Sequence, residues 1–380
     1  MRLAIQGGFS LAEKSLVNTK ILNNMTILLL IAGLVLLVAG AELLVKGASK
    51  IAAAIGLSPL VIGLTIVAMG TSSPEMAVSV MASTTGQGDL ALGNVVGSNI
   101  FNVLFILGIS AILIPLTVAQ QLIRLDVPIM IGASLLLLAF AWDGSFALWE
   151  GLVFLGLGIW YTVFLIRMSR KESNKQVLEE YREEYGNPEK SRDTLLSVFF
   201  VIAGLGMLIL GSRWLVSSAT DIAKSLGVSD LVIGLTIVAA GTSLPEVATS
   251  VIAAFRGERD IAVGNVVGSN IFNLLFILGV SVMVSPGPIL VSEQLLQFDI
   301  PVMTAVAVAC FPIFFTGKKL DRWEGVVFLG YYIAYTTFIV LASLRHSSLE
   351  TFSATMIWFV IPLTVLTLAV TFFREIKKKR

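Results

Sequence analysis

The chain has 380 residues, of which 56% are hydrophobic and only 13% charged, with a formal net charge of +1. Soluble domains carry roughly 25% charged residues, so the composition excludes an ordinary water-soluble enzyme or binding module and points to lipid as the solvent. The near-neutral balance also excludes the basic footprint that a nucleic-acid partner requires.

A helix needs about 20 apolar residues to cross the hydrocarbon core. In chain order, eleven stretches qualify: 25–45, 59–83, 90–115, 127–142, 149–166, 195–216, 231–254, 261–285, 298–316, 324–344 and 354–373. None shows the ten-residue apolar–polar alternation of a transmembrane barrel strand. The fold class expected is therefore an all-α polytopic membrane protein. Ahead of the first stretch, residues 1–24 lack the apolar core and small-residue cleavage site of a signal peptide. Met25 directly precedes the first apolar run, which makes it a candidate start and residues 1–24 an N-terminal extension.

Lys and Arg accumulate in cytoplasmic loops. With the N-terminus outside, the inside segments collect Lys46, Lys50, Arg124, the seven basic residues of 167–193, Arg256, Arg259, Lys318, Lys319, Arg322 and the tail Arg374, Lys377, Lys378, Lys379 and Arg380. That is 20 of the 26 Lys and Arg residues, so the reading is N-out and C-in, across a cytoplasmic membrane. The stretch 167–193 balances seven positive against seven negative charges and reads as a solvated, partly helical cytoplasmic linker. It separates a first repeat, 25–166, from a second, 194–345, and leaves 346–380 as an extra transmembrane helix with a basic tail.

The two halves are copies. GLTIVAMGTSSPE at 63–75 returns as GLTIVAAGTSLPE at 234–246, identical at 11 of 13 positions, and GNVVGSNIFN at 93–102 returns unchanged at 264–273. DVPIM at 126–130 pairs with DIPVM at 299–303, and WEGLVFLG at 149–156 with WEGVVFLG at 323–330. Five helices per half is an odd number, so the second copy enters the membrane from the opposite side. Inverted repeats of this kind build alternating-access transporters with a site near the midplane.

Each copy carries a carboxylate inside an apolar helix, Glu75 and Glu246. Charged groups at that depth are costly and face the protein interior or a water path, so function is the default reading. Pro74 and Pro245 remove the helical hydrogen bonds to the Gly70 and Gly241 carbonyls. Thr71 lies four residues before Glu75, on the same face, with Ser72 adjacent; Thr242 and Ser243 mirror them. In the second motif Ser98 and Asn102 share a face, as do Ser269 and Asn273, and the GxxxG spacings Gly93–Gly97 and Gly264–Gly268 favour close helix approach. The donor set is all oxygen, which suits a hard cation such as Ca²⁺ with six to eight oxygen ligands. The lone Cys310, in an apolar run, reads as a small buried hydrophobe, and the lone His346 falls in a loop. Soft-metal chemistry, which wants Cys or His, is excluded. Two carboxylates balance one Ca²⁺ or two Na⁺, so occupancy by one ion type excludes the other.

These duplicated GTSxPE and GNxxGSNIFN motifs resemble the α-repeats of the cation/calcium antiporter superfamily, in its prokaryotic sodium/calcium exchanger branch, over about residues 25–345. The resemblance implies a ten-helix core of two inverted five-helix repeats, in which spans two, three, seven and eight surround the ions. It implies Glu75 and Glu246 as the main Ca²⁺ ligands, helped by the Thr71 and Thr242 carbonyls. It further implies flanking Na⁺ sites from Ser72, Ser98, Ser243, Ser269 and the Ala68 and Ala239 carbonyls, with Asn102 at the family's amide position. Helices one and six would slide to alternate access. Asn273 stands where some members place Asp, which disfavours potassium co-transport. The transported ions would be Ca²⁺ and Na⁺, with no cofactor. Exchange of three Na⁺ for one Ca²⁺ would move one net charge, about 2.3 kcal/mol per 100 mV.

Two further expectations concern charges outside the motifs. Glu42 and Arg213 occupy equivalent positions and are candidates for a salt bridge between helices one and six. Asp126, Asp299, Glu150 and Glu324 sit at helix ends, where capping is the simplest role. Rival functions are a proton/calcium (or other divalent cation) antiporter and a passive channel; the sequence holds no HExxH or GxSxG for an intramembrane enzyme. It leaves the oligomeric state open.

Overall fold

A computed structural model describes residues 11–55, 57–171, 191–226 and 239–379. The middle of the expected linker and the start of the seventh span, 172–190 and 227–238, lie outside the described residues. In the first half, α1 (Leu11–Ile55) leads to α2 (Pro59–Thr71), α3 (Ser73–Thr84), α4 (Gly88–Leu113), α5 (Leu122–Asp143) and α6 (Leu148–Lys171). The second half comprises α7 (Ser191–Ser225), a short turn at Ala239–Gly241, α8 (Leu244–Phe255), α9 (Arg259–Val284), α10 (Leu295–Phe315) and α11 (Arg322–Ser343). The chain closes with α12 (Leu349–Lys377). Helix α1 is continuous through Met25, so the first apolar run is the membrane part of a longer helix. Among the described residues nine helices are long and apolar enough to cross a membrane singly, and the bent pair α2–α3 makes a tenth. With α8 as the described part of span seven, the architecture is the expected ten-helix core plus one extra C-terminal helix.

The inversion is visible without reference to the linker. Strand β1 (Leu116–Thr117) follows α4 and pairs antiparallel with β4 (Lys319–Leu320), which precedes α11. Strand β2 (Ser145–Phe146) precedes α6 and pairs with β3 (Ile289–Leu290), which follows α9. One crossing, α5, separates β1 from β2, and one crossing, α10, separates β3 from β4. The two ribbons therefore lie on opposite faces, and so do the ends of the equivalent helices α4 and α9. Buried Leu116, Phe146, Ile289 and Leu320 pin the short ribbons to the bundle.

Helices α4 and α9 are the core: 78% and 83% of their apolar windows are buried, against 0% for α12. The other helices turn Leu, Ile, Val and Trp outward, as a lipid solvent demands. Helices α1 and α7 pack along an antiparallel glycine seam with seven-residue spacing. Gly33 faces Gly211, Gly40 faces Gly204 and Gly47 faces Ser197, and a Cβ on any of the three would lie 2.8 Å from the opposite carbonyl oxygen. Gly264 and Gly268 likewise meet the backbone of Leu60 and Leu64 on α2, as the GxxxG spacing predicts. By the 171-residue offset, the partners of Gly93 and Gly97 would fall at 231–235, outside the described residues.

Two expectations are corrected. Glu42 does not pair with Arg213: its carboxylate meets Arg256 at 2.7 Å. In the antiparallel seam Glu42 is level with residue 202, and eleven further residues, about 16 Å of helix at 1.5 Å each, separate that level from Arg213. Asp126 and Asp299 make no capping bond. Both are buried carboxylates that accept from a tyrosine, Tyr161 Oη at 2.9 Å and Tyr335 Oη at 2.9 Å, and from Gln121 and Gln294. Glu150 and Glu324 do cap, accepting from the Ala147 and Asp321 backbone N–H at 2.7 and 2.8 Å. Cys310 is buried, as its apolar setting implies.

Candidate cation-binding site

The GTSxPE motif breaks its helix. Pro74 and Pro245 sit in the first turn of α3 and α8, where the missing N–H is tolerated, and the break falls two residues before each proline. Ser72 and Ser243 adopt φ/ψ of −80°/10° and −90°/8°, off the helical values. The axis turns by 49° between α2 and α3. Glu75 and Glu246 thereby lie in the first turns of two half-helices, where the N-terminal dipole favours negative charge. The Gly241 carbonyl freed by Pro245 accepts from Ser212 Oγ of α7 at 2.5 Å.

The two breaks face each other. Ser72 Oγ donates to Glu246 Oε1 at 2.8 Å, and Ser243 Oγ donates to Glu75 Oε1 at 2.8 Å. This reciprocal exchange places both carboxylates across the pseudo-twofold axis, each 1% exposed. Thr71 Oγ1 donates to Asn265 Oδ1 at 3.2 Å. The second oxygens, Glu75 Oε2 and Glu246 Oε2, are buried without a hydrogen-bond partner among the described residues. So are Asn102 Oδ1, Asn273 Oδ1, Ser269 Oγ and Thr242 Oγ1. Buried oxygens in that condition are rare in folded proteins and call for an electropositive partner. Here six of them come from six residues that the sequence singled out.

The remaining candidates sit in the same region with smaller roles visible. Ser98 is buried on α4. The Ala68 carbonyl accepts from the Ser72 N–H at 3.0 Å and from Thr71 Oγ1 at 3.3 Å. Ala239 opens the described part of span seven. Asn102 and Asn273 each begin a π-helical turn, Asn102–Leu107 and Asn273–Ile277, a distortion common at functional sites. The first of these turns packs against α8 and the second against α3, the helices that carry Glu246 and Glu75.

Sequence reasoning missed the supporting asparagines. Asn94 donates to Ser79 Oγ at 2.9 Å and Asn265 to Ser250 Oγ at 3.0 Å, tying α4 to α3 and α9 to α8. Asn99 and Asn270 meet across the axis and engage Asn273 and Asn102. The signal was available: these asparagines belong to the ten-residue motif repeated without a change. Among the described residues no three His, Cys, Asp or Glu side chains gather.

Inverted repeats that enclose two buried carboxylates and unpartnered oxygens have the architecture of a secondary transporter. The sequence model of the sodium/calcium exchanger protein family matches residues 25–167 and 196–341, and the chain belongs to that family, in its prokaryotic branch. It is 41% identical over 270 residues to the putative antiporter CaxA of Alkalimonas amylolytica, covering 70% of this chain and 83% of that one. It is 36% identical over 297 residues to the sodium/calcium exchanger MaX1 of Methanosarcina acetivorans, covering 70% and 84%. The structure of the sodium-calcium exchanger NCX_Mj superposes with a TM-score of 0.70 at 30% identity, covering 84% of this chain and 99% of that chain. The chain is thus a multi-pass membrane antiporter of the cation/calcium exchange class.

Proposed function

We propose that the protein exchanges Na⁺ for Ca²⁺ by alternating access, with Glu75 and Glu246 as the shared ligands of both ions. The observation that carries the reading is the reciprocal Ser72–Glu246 and Ser243–Glu75 pair, which leaves one free oxygen on each carboxylate. Two carboxylates supply charge −2, matched by one Ca²⁺ or by two Na⁺, so a bound Ca²⁺ and a bound Na⁺ pair compete for the same charge. The amide oxygens of Asn102 and Asn273, with Ser98, Ser269, Thr71, Thr242 and the Ala68 and Ala239 carbonyls nearby, extend the set toward the six to eight oxygens that Ca²⁺ takes. The serine hydroxyls suit Na⁺ as flanking neutral ligands. A proton needs no such cage, which ranks proton/calcium exchange second. The glycine seam between α1 and α7 supports a sliding pair, because it interlocks backbones with few side chains. The distribution of Lys and Arg supports an N-terminus outside and a C-terminus inside.

Proteoliposomes loaded with Na⁺ and diluted into Na⁺-free medium test the reading. Uptake of ⁴⁵Ca²⁺ that requires the gradient and vanishes in Glu75→Gln is the expected result. Uptake driven by an opposing proton gradient, and indifferent to Na⁺, refutes it.

A further inference from the structure

Each amide that faces the cation site stands at the end of a short relay. In one, Asn99 Nδ2 donates to Met303 Sδ at 3.6 Å, and Asn273 Nδ2 donates to Asn99 Oδ1 at 3.4 Å; Asn273 Oδ1 ends the relay without a partner among the described residues. In the other, Asn270 Nδ2 donates to Met130 Sδ at 3.7 Å, and Asn102 Nδ2 donates to Asn270 Oδ1 at 3.0 Å; Asn102 Oδ1 ends it in the same way. All six side chains are 2% exposed or less. The methionines come from α5 and α10, which pack against α9 and α4 respectively.

An amide side chain offers a donor at one end and an acceptor at the other, and nothing intrinsic selects which end faces where. A thioether has lone pairs and no hydrogen to give, so only the NH₂ of the neighbouring asparagine can satisfy it. That choice fixes the rest. The oxygen of Asn99 must face Asn273, the nitrogen of Asn273 must face Asn99, and the oxygen of Asn273 is left as the outward terminus. Reversing Asn99 would oppose oxygen to sulfur and nitrogen to nitrogen at once, and reversing Asn273 would oppose oxygen to oxygen.

We propose that Met130 and Met303 are positioning residues that set the polarity of these relays, so that Asn102 and Asn273 present oxygen, and not NH₂, to the cation. The proposal rests on the cation reading of the site given above. It takes a sequence difference into account as well: a carboxylate at position 273 would have no N–H for Asn99 Oδ1 to accept, so Asn273 and the Asn99–Met303 pair belong together. The two relays are not equally secured. Asn270 Nδ2 also donates to the Asn99 backbone carbonyl at 3.2 Å, a second lock on its orientation. Asn99 has Met303 as the acceptor fixing its NH₂.

The test measures equilibrium ⁴⁵Ca²⁺ binding by the purified full-length protein in detergent, reading midpoint and site number separately. Met303→Leu conserves volume, a swap that cores accept, and removes the acceptor. Its midpoint is expected to weaken by about threefold to tenfold, at or below the roughly tenfold lower bound for outer-shell partners of metal ligands because the lost acceptor is a neutral thioether one amide removed, with site number unchanged. Met130→Leu keeps the Asn99 carbonyl lock and is expected to change the midpoint by less than about twofold. Met303→Gln, which restores an acceptor oxygen at similar length, is expected to bind within about twofold of the unmodified protein. In an Asn273→Ala background, Met303→Leu is expected to add no further loss, because the relay then has no terminus. An unchanged midpoint in Met303→Leu, equal losses in the two leucine variants, a glutamine variant as weak as leucine, or losses that multiply with Asn273→Ala would each overturn the proposal. The comparison uses Ca²⁺ alone without a sodium gradient. Absence of sodium coupling in liposomes therefore overturns the exchange reading while leaving this test intact.

Discussion

Replacing Gly40 by alanine adds one methyl group at the centre of the α1–α7 seam. An ideal Cβ there would lie 2.8 Å from the Gly204 carbonyl oxygen and 3.0 Å from the Leu208 backbone N, where ordinary contact begins at 3.4 Å. Both atoms are backbone, so no side chain can turn aside and the helices must part by about 0.6 Å. A gap of that size forfeits roughly a quarter to a half of each neighbouring dispersion contact, and overpacking of this kind costs about 1–3 kcal/mol. Alanine also gains helix propensity, about 1 kcal/mol over glycine, which would mask part of the loss. Gly206 supplies the control: it lies on the partner helix α7, exposed, and its Cβ would meet nothing within 4 Å among the described residues. The propensity gain is common to both substitutions, so Gly40→Ala minus Gly206→Ala isolates the clash. The single cysteine, Cys310, is buried, so a thiol-reactive dye in detergent reports unfolding as that residue becomes accessible. Gly40→Ala should melt below Gly206→Ala by the equivalent of about 1–3 kcal/mol. A Gly40→Ala protein that melts at or above Gly206→Ala would show that the seam is not in contact.

Ser72→Ala and Ser243→Ala each delete a 2.8 Å donor to the opposite carboxylate. Hydrogen bonds to charged groups contribute about 1.5–3 kcal/mol, so apparent Ca²⁺ affinity should fall by roughly tenfold or more, and by similar factors in the two variants; a large inequality would deny the pseudo-symmetry of the site. Tyr161→Phe removes the hydroxyl from fully buried Asp126, and Tyr335→Phe does the same for Asp299, which is 6% exposed. Water can reach Asp299 more readily, so thermal stability should drop by about 1–3 kcal/mol in the first variant and by less in the second. The reverse order in the dye assay would contradict that ranking.

Much of this molecule was legible before any coordinates. Hydrophobic runs gave the span count because lipid leaves a backbone few alternatives to helix. Duplicated motifs with an odd number of crossings gave the inversion, and acids in apolar helices singled out the two carboxylates that the fold brings together. What sequence reasoning could not reach depended on pairings across the two halves. Glu42 and Arg213 look like partners by repeat position, yet an antiparallel crossing separates equivalent residues unless they sit on the axis. Asp126 and Asp299 look like caps by their place along the chain, yet each closes on a tyrosine 35 or 36 residues later.

The linear order of residues determined which chemistry is present: two carboxylates, uncharged oxygens, prolines that break a helix, and glycines that let helices meet. Only the tertiary structure decided that Ser72 serves Glu246 and not Glu75, and that each site amide is oriented from a methionine on a different helix. Hydrogen bonds are satisfied by whatever the fold brings within about 3 Å, and spacing along one helix says nothing of the atom that arrives from another.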